Sequence, residues 1–320
     1  MIMKNIFKSL RIIINDIIFY SQFWGIWSAI RIRLFPKIYD IFKPGSYTKK
    51  QNEILFSKLK EEFRPIIEKY QKGPKTPPSP IHEHTPIWVC WWQGEDNMPE
   101  MIKQCYKLML KNRNKHPIIL ITKDNYTKYI ELPPIILNRI NNKDITFTFL
   151  SDIIRMSLLA KHGGIWIDAT YWITKPLDIN GIKLFTFRQD RFKGQGDICD
   201  FRWTCHCIGS ASPYYIFAFI RDCFIHHLTL HKTNVIYLLI DYVINLAYEE
   251  FDDFRKIIDN LPNHEPHIYI MPWLFNQQLN TDTLKDIIDT TPLLKLTYKQ
   301  NYTRETIKGE RTYYDYFMNL

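Results

Sequence analysis

Residues 161–177, KHGGIWIDATYWITKPL, set two glycines, a short apolar run and one aspartate in immediate succession. Glycine closes a helix readily because it tolerates the left-handed backbone, and a second glycine lets a neighbouring chain or a ligand approach closely. The run GIWID then reads as a buried strand that carries Asp168 at its carboxyl end. A carboxylate there can build a site or merely end the strand, and the residues around it have to decide.

Immediately upstream, SDIIRMSLLAKHGG reads as a helix over 151–162 with Ser151 as a candidate N-cap. Asp152 and Arg155, three apart, share one face, while Ile154 and Leu158 face a core. An acidic residue in the first turn and an i,i+3 pair are explained by helix stability alone, at a few tenths of a kcal/mol. That account leaves open why the chain returns at once to a strand delivering Asp168 near the helix's polar face.

Further out, PIWVCWW (86–92) and PIILIT (117–122) are short apolar runs suited to buried strands, with a helix over 99–113 between them. Strand, helix, strand, helix, strand implies an α/β sheet of parallel strands that binds ligands at the strands' carboxyl ends. Trp91 and Trp92 end the first strand, so they point to opposite faces and one of them can reach a ligand. Beyond Pro176, KLFTF (183–187) and TCHCIG (204–209) read as strands, followed by helices over 213–227 and 234–251. In the second of these, Asp241 lies among apolar residues and needs a partner or a polar cavity, either on an acceptor side of the site or in a buried pairing role.

The composition bounds what the site can belong to. With 320 residues, 46% of them hydrophobic, the chain can bury a large core and suits one large domain with appendages rather than a disordered segment. Lys+Arg 42 against Asp+Glu 33 gives a net charge of +9, which favours an anionic partner. A nucleic acid is disfavoured, because the basic residues are dispersed and no recognition motif is present. The cysteines form no disulfide framework and no paired C-x-x-C, so a reducing compartment is the default. CDFRWTCHC (199–207) could offer three thiolates and His206 to a metal, but scattered structural thiols are the simpler reading.

Residues 1–43 form an apolar and basic leader. Asp16 interrupts it, no cleavage pattern follows, and the uncharged run 17–30 is shorter than the roughly 20 residues of a spanning helix. Lys4, Lys8, Arg11, Arg31, Arg33 and Lys37 with Trp24 and Trp27 suit a helix lying on an anionic membrane surface, and packing on the protein's own core suits it equally. Residues 44–85 carry an amphipathic helix over 51–70 and a Pro-rich linker, leaving 86–320 as the main domain.

SDIIRMSLLAKHGGIWIDATYWITKPL, with PIWVCWWQGEDNMPEMIKQCYKLMLKNR (86–113) upstream, resembles the capsular polysaccharide synthesis proteins. These are relatives of the DXD-containing sugar transferases, among them yeast Golgi mannosyltransferases and the large glucosylating toxins. The resemblance is clear over about 86–178. It implies a GT-A-type, Rossmann-like nucleotide-sugar domain with helical N- and C-terminal additions, and transfer with retention. Carried over by position, Trp91 resembles the aromatic that stacks on the base, and Asp152 and Arg155 the pair that contacts donor sugar and ribose. Asp168 matches the first Asp of the DXD motif, which orients the donor and a divalent cation, Mn²⁺ or Mg²⁺. Thr170 stands where a strict motif has its second Asp, a departure that weakens the metal assignment more than the fold. Gly164 would admit the donor close to the backbone. Lys299, with Lys295 and Arg304 near it, would cover the phosphates. The implied function is transfer of a sugar from a nucleoside diphosphate donor, UDP above all, to a capsular or other surface polysaccharide. A lipid-linked acceptor and a place in the cytoplasm at the inner face of the membrane would account for the leader.

Two other classes compete. A membrane-surface binding protein with a degenerate transferase fold would explain both the leader and the missing Asp. A phosphohydrolase would also place an Asp at a strand end, but its second Asp is Thr170 here, and Asp252 and Asp253 follow no hydrophobic strand.

Overall fold

The computed structural model describes residues 2–189, 197–262 and 267–320, with the side chains of residues 2–10 left out. Its centre is a four-stranded sheet in the order β2-β1-β3-β5. β1 (Ile87–Cys90) pairs in parallel with β2 (Ile118–Ile121) and with β3 (Gly164–Ile167). The expectation of parallel strands holds for these; β5 (Cys207–Ser210) adds an antiparallel edge against β3, Ile167 facing Cys207. A second, two-stranded sheet joins β4 (Tyr171–Ile173) to β6 (Leu293–Lys295), Tyr171 facing Lys295.

The central strands are apolar throughout because helices cover both faces. Trp88, Trp166 and Ile208 point into one core, and Ile87, Val89, Ile165 and Ile167 into the other, the two-residue alternation of a strand. The four N-terminal helices are α1 (Ile2–Arg33), α2 (Phe35–Phe42), α3 (Tyr47–Glu62) and α4 (Arg64–Lys72). α5 (Glu100–Asn112) and α6 (Pro134–Asn141) follow, and then α7 (Phe147–His162), α8 (Tyr215–Leu230) and α9 (Leu239–Glu250), whose apolar faces fill the first core.

Several boundaries differ from the sequence reading. α7 begins at Phe147, where the Thr146 side chain accepts from Phe149 N, and Ser151 lies inside the helix with its hydroxyl donating to Thr148 O at 2.8 Å. Asp152 is therefore beyond the first turn and buried, so neither the cap nor the helix dipole explains it. The helix expected over 51–70 is broken at Phe63, since Pro65 supplies no N–H to continue the ladder and opens α4 instead. KLFTF forms no strand; Phe185 makes an isolated bridge to Gly209. The helices after Pro213 and Asn234 begin at Tyr215 and Leu239.

The leader packs one side on the protein and leaves the other exposed. α1 is interrupted at Trp24 and Gly25, the latter at φ 78°, and beyond that point Ala29 and Ile32 are fully buried. Trp24 Nε1 donates to Glu62 Oε2 at 2.9 Å, and Phe23 stacks on His227 of α8. The outer side stays open, with Trp27 78% and Phe42 82% exposed beside Ile14, Ile18 and Ile41. Asp16 pairs with Arg33 at 2.6 Å, which removes its charge from the apolar face. Lys4 and Lys8 lie outside the described side chains. No described helix is long and apolar enough to cross a membrane.

Candidate functional site

Asp168 follows the last residue of β3, its backbone N–H donating to His206 O at 3.1 Å. Trp166, two residues earlier and thus on the same strand face, donates its indole N–H to Asp168 Oδ1 at 2.7 Å. Arg155 reaches the same oxygen from α7, Nη2 to Oδ1 at 3.2 Å, with its guanidinium 4.8 Å from the centre of the Trp166 ring. Its Nη1 lies 3.1 Å from Asp152 Oδ1. The other oxygen of Asp168 takes the Lys295 ammonium at 2.6 Å, which donates to Thr170 Oγ1 at 2.6 Å as well. Arg155, Asp152, Asp168 and Thr170 are thus one cluster, in which Asp168 is partly open, with 27% of its side chain exposed against 4% for Arg155.

Electrostatics follow from the crowding. Burial alone would raise the Asp168 carboxyl, but Lys295 and Arg155 outweigh it and hold the group well below the usual carboxylate range. Burial pushes Asp152 up to about 7, Arg155 opposing and Asp168 reinforcing the rise. Burial would lower the Arg155 guanidinium, yet the two carboxylates raise it. Arg155 Nε and Nη1 are buried and make no hydrogen bond among the described residues, so the guanidinium is held chiefly by its ion pairs with Asp152 and Asp168.

The remaining residues singled out from the sequence divide. Trp91 and Trp92 do point to opposite faces. Trp92 packs on Tyr126 in the first core, while Trp91, half-buried, donates to Asn97 O at 3.3 Å and meets Tyr298 edge-on at 5.7 Å. Tyr298 lies three residues beyond Lys295, so one segment supplies a cation and an aromatic edge. Lys299 faces solvent, and Arg304 pairs with Asp315 at 3.2 Å. Gly164 is not brought to the cluster. It opens β3 at the end opposite Asp168, and a Cβ there would meet Trp88 Nε1 at 2.4 Å, so its role is to admit the indole. The CDFRWTCHC thiols do not converge on His206, whose ring nitrogens are instead 2.7 Å from the Tyr171 hydroxyl and 2.9 Å from that of Tyr269.

Lys295 was visible in the sequence only as one of several cations and His206 only as a possible metal ligand, while Trp166 and Tyr269 were missed. The signal for Trp166 was its i−2 spacing from Asp168; Tyr269 had none. His206 and Tyr269 also line a cavity of about 390 Å³ together with Asp241, Cys205 and Tyr242. Asp241 accepts from Trp203 Nε1 at 3.0 Å, and burial pushes its carboxyl up to about 6. His206 lines this cavity and its backbone carbonyl accepts from Asp168 N, so the cavity adjoins the cluster.

A divalent cation at Asp168 would need free oxygens from this cluster. Oδ1 accepts Trp166 and Arg155, and the Lys295 ammonium bridges Oδ2 to Thr170 Oγ1. The cluster as arranged does not fit the ion. Among the described residues, the side chains whose potential ligand atoms gather, within 4.8 Å, are Glu62, His227 and His231 under the leader.

The family model for capsular polysaccharide synthesis protein matches residues 38–317, and the chain belongs to that family. No curated protein matches it. Among solved structures it is similar to one described as PaToxG Glycosyltransferase, with 15% identity, 71% of this chain and 91% of that chain covered, and a TM-score of 0.38.

Proposed function

We propose that the protein is a glycosyltransferase of GT-A type that moves a sugar from a nucleoside diphosphate donor, expected to be UDP, onto a capsular or other surface polysaccharide, with retention. The observation that carries the reading is the convergence of two cations, Arg155 and Lys295, on one partly open carboxylate after a central parallel strand. In a member of a capsule synthesis family, that chemistry suits a sugar diphosphate: cations for the phosphates, carboxylates for the hydroxyls.

In this reading Trp91 and Tyr298 offer aromatic edges to the base, and the buried Arg155–Asp152 pair backs Asp168 beside the ribose or donor sugar. Asp168 orients the donor. The cavity at Asp241 receives the acceptor, its carboxylate accepting a hydrogen bond from a sugar hydroxyl. That hydroxyl attacks the anomeric carbon on the face the diphosphate leaves, and the departing oxygen takes the proton. The exposed apolar side of α1 and α2, with Arg11, Arg31 and Lys43 exposed on these helices and just beyond α2, rests on the inner face of the membrane and holds the active site near a lipid-linked acceptor.

Thermal unfolding in the presence of a panel of nucleotide sugars tests the reading, since a ligand that binds only the native state raises its apparent stability. A uridine diphosphate sugar should raise the melting temperature and be slowly hydrolysed. No shift with any nucleotide sugar would remove the donor site. A shift without hydrolysis or transfer would favour a non-catalytic membrane-surface protein, the reading the exposed leader supports.

A further inference from the structure

We infer that Lys295 takes the place of the divalent cation, so that the protein binds and releases its diphosphate without a metal. The inference rests on the donor-site reading above and deepens it.

Lys295 Nζ lies 2.6 Å from Asp168 Oδ2 and 2.6 Å from Thr170 Oγ1, the two side chains that would have to help hold a metal here. Thr170 supplies a neutral oxygen where a second carboxylate would be needed to retain a doubly charged ion, and a hydroxyl is an adequate acceptor for an ammonium. The substitution at Thr170 and the presence of Lys295 therefore compensate each other: one negative charge fewer and a single positive charge in the gap.

The backbone of the lysine is fixed by strand pairing. Its residue faces Tyr171 in the β4–β6 pair. Lys295 N donates to Ile268 O at 2.7 Å, and Leu296 N to Thr170 O at 2.9 Å. The Tyr171 ring lies 5.3 Å from the ammonium, giving it a third favourable wall. Two partners leave one of its three N–H donors for a ligand, and 19% of the side chain is exposed. A diphosphate oxygen at that opening receives a charge-assisted hydrogen bond. As the bond from the anomeric carbon to the diphosphate breaks and the bond to the acceptor oxygen forms, the ammonium stabilises the negative charge gathering on the leaving group. The proton balance stays as before, from acceptor hydroxyl to departing oxygen, and Lys295 keeps its own.

Calorimetric titration of UDP into the full chain, in chelator and then with Mn²⁺ or Mg²⁺, decides the matter. The expected result is binding in chelator with an affinity that neither ion changes appreciably. Binding that requires Mn²⁺ or Mg²⁺ overturns the inference while leaving the donor reading intact; no binding by UDP or other nucleoside diphosphates under either condition removes the donor reading itself. Lys295→Ala should weaken binding in chelator about ten- to hundred-fold. Lys295→Ala combined with Thr170→Asp should regain affinity only with Mn²⁺, by restoring the second carboxylate and vacating the gap. Undiminished binding by folded Lys295→Ala in chelator would also overturn the proposal, with circular dichroism reporting the fold.

Discussion

Arg155 and Asp168 meet at 3.2 Å because α7 and β3 are consecutive, joined by a two-glycine turn that folds the helix back along the strand. The guanidinium is thereby fixed between two carboxylates, and its removal leaves both without their shared cation. Arg155→Ala should cost about 3 kcal/mol of stability, in keeping with a broken buried pair. Arg155→Lys keeps the charge but loses the fork that reaches Asp152 and Asp168 together. It should stay folded and lose about ten-fold in nucleotide affinity. Denaturant midpoints and UDP titration separate the two effects, and wild-type affinity in Arg155→Lys would limit the residue to a structural role.

Asp241 offers a different handle, because burial sets its carboxyl at about 6 and the cavity leaves it room for an acceptor. The group accepts a hydrogen bond from a sugar hydroxyl best when ionised, so transfer to a saccharide acceptor should rise as the pH passes through about 6. Asp241→Asn should lose that rise and slow transfer about ten-fold or more, while donor hydrolysis, which uses water, falls less. Initial rates of both reactions between pH 5 and 8 give the comparison; equal losses would place Asp241 in the packing of Trp203 alone.

The part of the site written locally was legible. A helix, a glycine turn and a short apolar strand place Asp152, Arg155 and Asp168 within one stretch of chain, and periodicity suffices to bring them together. Lys295 was not legible as a partner, because the contact spans 127 positions and depends on the register of β6 against β4. The sequence reading starts α7 too late, at Ser151: Phe-Thr-Phe-Leu at 147–150 has strand-like composition, and the Thr146 cap is what begins the helix. Gly164 was read toward a ligand when its space belongs to Trp88, a packing partner from a strand far back in the sequence. The leader's two readings could not be ranked because one side of it packs on the protein while the other is left exposed.

Those faces can be separated by mutation. Trp27 and Phe42 are largely exposed, so replacing both with Ser should leave the melting temperature within about 1 °C, as expected of surface substitutions. The same change should weaken binding to vesicles containing anionic phospholipid about ten-fold or more, given the apolar area each ring contributes. Ile32→Asp, on the buried side, should instead destabilise the fold. Vesicle sedimentation that is unchanged by the Trp27 and Phe42 pair would sink the membrane-facing assignment.

Glu62 ties the buried side of the leader down, and its protonation should release it. Burial would raise this carboxyl, but hydrogen bonding with His227 at 2.6 Å and His231 at 3.0 Å outweighs it and brings the group down to about 2. A carboxyl whose pKa is lowered on folding stabilises the protein above its unfolded value, about 4.3. That contribution should be lost as the pH falls from there toward 2, and should be constant at higher pH as far as this group is concerned. Trp24, which donates to the same carboxylate, reports the event. Its environment should change on acidification, with the leader becoming sensitive to an acid-active protease before the sheet unfolds. Glu62→Gln, which keeps the shape and removes the charge, should loosen the leader already at neutral pH at a cost of about 2 kcal/mol. It should also remove this part of the acid dependence. A leader equally protected in both proteins down to pH 3 would show that Ala29 and Ile32 hold it without help from the carboxylate.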